Sequence, residues 1–89
     1  MQQTKIKFTK CIQTLDKIPL NVNAIIKNVK TDSHFMIRLM ELGIVPGETI
    51  TVLRSAPFGD PIEISIIGYS LCIRKKEASQ IEVEYEGNC

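Results

Sequence analysis

Ile62, Ile64 and Ile66 alternate with Glu63 and Ser65, and an apolar period of two is the mark of a strand with one face buried and one in water. The same period returns at Leu71 and Ile73, and again at Ile81, Val83 and Tyr85, where Glu82, Glu84 and Glu86 fill the other face. Glu48 to Arg54 repeats it with Ile50 and Val52. Turn residues separate these runs: Pro46-Gly47, Gly59-Asp60-Pro61 and Gly68. Several short strands at regular spacing predict a small, mainly β barrel. Eighty-nine residues hold one domain. A chain of this length buries about 60% of its unfolded surface, enough to fold alone. Trp is absent and only five residues are aromatic, so the core must be built of Ile, Val and Leu.

One helix interrupts the strands. Thr31-Asp32-Ser33 offers side-chain acceptors for a helix start. Phe35, Leu39 and Leu42 then recur at spacings of four and three with Met36 beside them, forming one apolar stripe. Gly43 is the expected stop, because the position past a helix end favours a left-handed backbone. In Val45-Pro46-Gly47-Glu48, Pro at the second position and Gly at the third predict a type II turn. Val22 to Val29 reads as a strand after a Pro19-Leu20-Asn21 turn, and the adjacent Ile25 and Ile26 break the alternation as a bulge would. Residues 1–14 read as an extension with a short strand at Ile6 and Phe8, residues 15–84 as the domain, and residues 85–89 as a tail. Lys75 to Ser79 reads as a polar connector.

Eleven basic against ten acidic residues leave a net charge of +1. That balance excludes a dedicated nucleic-acid binder, which needs many cations to displace counterions. Residues 1–30 carry six Lys and one Asp, a distribution expected of a solvated surface. No apolar run approaches the roughly 20 residues of a membrane span, and none at the start suits a signal peptide. The expectation is a cytoplasmic protein without membrane insertion, with Cys11, Cys72 and Cys89 as free thiols.

Catalytic readings fail by counting. His34 is the single histidine, and no triad spacing, phosphate loop or dinucleotide fingerprint accompanies it. The three cysteines have no C-x₂₋₄-C spacing, so neither a metal site nor a cofactor is expected. The informative segment is Ala56-Pro57-Phe58-Gly59-Asp60-Pro61. Pro61 holds Asp60 in an extended conformation, Asp60 is placed to accept from the Ile62 N–H, and Gly59 supplies the turn. Phe58 at the tip either folds back as a lid over the barrel or stands out as an aromatic anchor for a partner. Arg54, Arg74 and Arg38 are the basic groups that would accompany it. They would equally serve in intramolecular pairs, such as Arg74 with Asp60 or Glu77.

Three stretches together carry a resemblance. Arg38-Leu39-Met40-Glu41-Leu42-Gly43-Ile44-Val45-Pro46-Gly47, then Ala56 to Pro61, then Ile73-Arg74-Lys75-Lys76-Glu77-Ala78-Ser79-Gln80-Ile81-Glu82-Val83 follow in order the pattern of the FeoA family. The chain resembles that family from about Leu15 to Val83, with Asn21 where the family often has Gly. The resemblance implies an SH3-like barrel with one short helix. It also implies an accessory or regulatory role in bacterial ferrous-iron uptake, beside the membrane transporter FeoB. Self-association is compatible with it. Related domains end iron-dependent repressors, so the alternative is a stand-alone domain binding a peptide or a repressor.

Overall fold

The computed structural model describes residues 9–30 and 33–87. Strands β1 (Thr9–Thr14), β2 (Asn23–Val29), β3 (Thr49–Ser55), β4 (Ile62–Ile66), β5 (Tyr69–Ile73) and β6 (Ile81–Gly87) form one sheet in the order β1-β6-β2-β3-β4-β5. Every pairing is antiparallel. Helix α1 (Ser33–Glu41) follows β2, and the four-residue α2 (Lys75–Ala78) links β5 to β6. The sheet curls round a core of Ala24, Ile26, Ile50, Val52, Ile64, Ile66, Ile81 and Val83. These are the inward positions of the period-two runs, so the alternation read from the sequence becomes the barrel's inside and outside.

The bulge in β2 falls one step after the place where the alternation breaks. Register against β6 shifts between Ile26 and Asn28, which lets Ala24, Ile26 and Val29 all face inward while Ile25 is exposed. Asn21 has φ of 60°, the left-handed conformation that Asn tolerates better than most residues, and its N–H donates to Val52 O at 2.7 Å. In the Pro46-Gly47 turn the Glu48 N–H reaches Val45 O at 3.2 Å, and Gly47 has φ of +97°, as a type II turn requires. Leu39 is 1% exposed and Leu42 packs beside the core. The cap Thr31-Asp32, the N-terminal strand at Ile6 and Phe8, and the Phe35 and Met36 side chains lie outside what is described.

Several expectations are corrected. The connector 75–79 contains α2, so among the described residues a second short α-helix accompanies α1, besides one 3-10 turn at Leu15–Lys17. Helix α2 forms because the Glu77 carboxylate accepts the Arg74 N–H at 2.8 Å, capping a turn too short to show a periodicity. Thr9–Thr14, expected within the extension, forms a strand that pairs with β6 on the side away from β2, matched from Thr9↔Gly87 to Thr14↔Glu82. Asp60 does not accept from Ile62; its Oδ1 takes the Lys75 N–H at 2.9 Å, because the loop leans on α2. Cys11 is disulfide-bonded rather than a free thiol, whereas Cys72 is free and exposed, and Cys89 lies outside the described residues. The β1–β6 register sets Cys11 opposite Tyr85, a proximity that linear spacing does not show.

Candidate docking surface

The loop between β3 and β4 is closed by its own backbone. Ala56 N–H donates to Pro61 O at 2.9 Å, and Gly59 N–H donates to Ala56 O at 2.7 Å. Gly59 has φ of +87°, which a side chain would resist. Pro57 and Pro61 flank the tip, and Asp60 ties the loop to α2. Phe58 sits at this fixed tip and is 98% exposed. Of the two readings of Phe58, the lid is excluded and the outward aromatic stands.

The arginines are distributed around the loop and α2. Arg54, next to last in β3, stands opposite Glu63 of β4, and its Nε lies 2.5 Å from Glu63 Oε1. That hydrogen bond, reinforced by opposite charge, holds the Glu63 carboxyl below the usual carboxylate range and raises Arg54 further. Beside them a groove of about 300 Å³ is lined by Arg54, Ala56, Pro57, Pro61, Glu63 and Cys72. On the other flank, Arg74 lines a second depression with Asp60 and Pro61. Arg38 reaches from α1 to Glu77, with Nη1 3.6 Å from Oε2. Glu77 is the one buried charged residue described, 5% exposed, and its other oxygen holds the Arg74 backbone.

Intramolecular pairing therefore occurs, but with a different allocation from the one expected. Arg38, not Arg74, pairs with Glu77, and Arg54 pairs with Glu63. Arg74, Lys75 and Lys76 are exposed and form no ion pair among the described residues. From sequence Lys75 and Lys76 read as connector residues. Glu77 three positions after Arg74 is the signal that marks a helix start there, since that spacing lets the start be capped from within. The turn residues Gly43, Pro46, Gly47, Gly59, Asp60 and Pro61 all serve backbone geometry in these loops. Two members of the acidic row on β6 are paired: Glu84 meets Lys10 at 3.6 Å and Lys27 at 3.5 Å, and Glu82 meets Lys30 at 3.4 Å. Among the described residues no three His, Cys, Asp or Glu side chains gather as a metal site. No described helix is long and apolar enough to cross a membrane.

Comparison with known proteins adds what geometry does not. The model of the FeoA domain matches residues 13–85. A fusion of Fe(2+) transport protein A with the Fe(2+) transporter FeoB, from Porphyromonas gingivalis, is 37% identical over 70 residues. Those residues are 79% of this chain and 8% of the fusion protein. The solution structure of iron(II) transport protein A from Clostridium thermocellum superposes with a TM-score of 0.79 at 37% identity, covering 82% of this chain and 45% of that one. FeoA of Stenotrophomonas maltophilia, crystallised with zinc and described as a prokaryotic SH3 domain protein, gives 0.73 at 26% identity over 85% of this chain and 96% of that one.

Proposed function

Since this chain belongs to the FeoA family, which is associated with ferrous-iron transport, we propose that it is a non-catalytic, cytoplasmic accessory protein that docks on the transporter FeoB and regulates it. The observation that carries this reading is the Porphyromonas fusion. Two domains joined in one polypeptide meet at an effective concentration that can reach the millimolar range. The same two domains on separate chains need a surface to find each other. Phe58 is the anchor on this chain: a large apolar side chain on a stiff loop loses little entropy when it is buried by a partner. Arg54, Arg74 and Arg38 are the accompanying cations: Arg54 in the strand that enters the loop, Arg74 beside Asp60 and Pro61, and Arg38 on α1 against Glu77 of α2.

The test is Phe58→Asp in the full chain. Phe58 touches little of the fold, so the melting temperature should stay within about 2 °C of the parent, as for an exposed position. Ferrous-iron uptake by cells carrying the variant should fall, and FeoB should no longer be recovered with the tagged protein from solubilised membranes. A folded variant that still recovers FeoB and supports normal uptake overturns the docking surface.

A further inference from the structure

The cations near Phe58 are not equivalent. Arg54 and Arg38 are committed to Glu63 and Glu77. Arg74, Lys75 and Lys76 are consecutive, exposed and form no ion pair among the described residues, and of the nearby carboxylates only Glu77 is already paired with a cation. Asp60 holds the Lys75 N–H, and Glu77 holds both the Arg74 N–H and the Arg38 guanidinium. The Lys75 N–H is neutral, so Asp60 keeps its negative charge, and Arg74, Lys75 and Lys76 still leave a net positive excess beside an exposed aromatic tip. The Asp60–Lys75 hydrogen bond keeps the two groups in one fixed arrangement.

We infer that the segment of FeoB received here is acidic and carries an apolar side chain. This inference rests on the docking reading above. Its negative charge would be met by Arg74, Lys75 and Lys76, while its apolar residue would enter the groove between Pro57, Pro61 and Arg54 and cover Phe58. An anionic bilayer offers the same charge, but a smooth surface does not fill a concave, proline-walled groove next to a protruding tip. Complementary charge of this kind speeds encounter and selects the partner, and salt screens it. The apolar contact is insensitive to such screening. Affinity therefore has one salt-dependent part, in the lysines, and one salt-independent part, in Phe58.

The experiment measures the dissociation constant of the full chain for detergent-purified FeoB at about 50 mM and about 300 mM NaCl, where the screening length falls below ~10 Å. The parent complex should weaken at least about fivefold at the higher salt. Lys75→Glu/Lys76→Glu should bind at least about tenfold more weakly at low salt and lose most of the salt dependence. Lys75→Gln/Lys76→Gln should fall between them. Phe58→Ala should weaken binding by the same factor at both salts. A parent complex whose affinity ignores salt refutes the acidic segment while leaving docking intact. Absence of any complex refutes docking and this inference with it. Binding to phosphatidylglycerol vesicles without FeoB, with the same dependence on salt and on the two lysines, assigns the surface to lipid and overturns the inference.

Discussion

Gly43 and Gly47 have almost the same backbone, with φ of +93° and +97°, but different surroundings. A Cβ on Gly47 would meet nothing within 4 Å, whereas one on Gly43 would lie 2.6 Å from Ile67 Cδ1. Gly47→Ala thus measures the backbone cost alone, about 1 kcal/mol for an L-residue held at positive φ. Gly43→Ala adds a displaced neighbour. Ile67 is 57% exposed, so its terminal methyl can swing towards water at an off-rotamer cost of about 1 kcal/mol. The expected totals are about 1 kcal/mol for Gly47→Ala and about 2 kcal/mol for Gly43→Ala. Ile67 itself has φ of 50° and precedes Gly68 at φ of 79°, the pattern of a two-residue hairpin turn that prefers Asn-Gly. Ile67→Asn should relieve that strain and remove the clashing methyl together. In that background Gly43→Ala should cost about 1 kcal/mol, a coupling of the size seen between touching residues. Urea melts with unchanged m-values would give all four numbers. Equal costs at Gly43 and Gly47 in the parent would refute the contact, and neutral substitutions would refute the positive φ.

Leu39→Ala should destabilise by about 2–5 kcal/mol, since Leu39 is 1% exposed and its loss leaves a cavity between α1 and the sheet; a urea-melt loss under about 1 kcal/mol would remove it from the core. The Glu63 carboxyl should titrate below the ordinary range in an NMR pH series, because the Arg54 hydrogen bond favours its charged form, and Arg54→Leu should move it back up. A carboxyl lowered on folding stabilises the native state above its unfolded pKa and loses that contribution as pH falls through its folded value. The parent should therefore lose more stability on acidification than Arg54→Leu does, and matching acid profiles would contradict the pair.

The parts of the fold that could be read ahead obey rules contained within a few residues. Ile62, Ile64 and Ile66 point to one face because a strand alternates, whatever it pairs with. Pro46-Gly47 and Asn21 declare their turns through φ preferences of single residues. The parts that could not be read depend on meetings across the sequence. Cys11 stands opposite Tyr85 only because β1 pairs with β6 in one register. α2 is a single turn, and its stabilising bond joins Glu77 to Arg74 without any apolar stripe to announce it. Which arginine takes which carboxylate is likewise a matter of packing, since Arg38 and Glu77 lie on different helices.

Phe58 shows where sequence reasoning stopped one step short. Its two readings, lid or anchor, differ only in whether the tip can turn back over the barrel. The Ala56–Pro61 and Gly59–Ala56 hydrogen bonds close the loop within six residues, leaving no slack for a return. The nearby end of the barrel is already sealed by Val52, Ile62 and Ile73, all buried, so there is no apolar opening for a lid to cover. Both facts have sequence counterparts, in the Pro57-Gly59-Pro61 spacing and in the inward positions of β3, β4 and β5. Taken together they leave the aromatic facing outward. A large apolar group fixed in water beside the net positive charge of Arg74, Lys75 and Lys76 adds nothing to the core. Its burial by another protein is the arrangement in which the hydrophobic effect and the local charge both act to advantage.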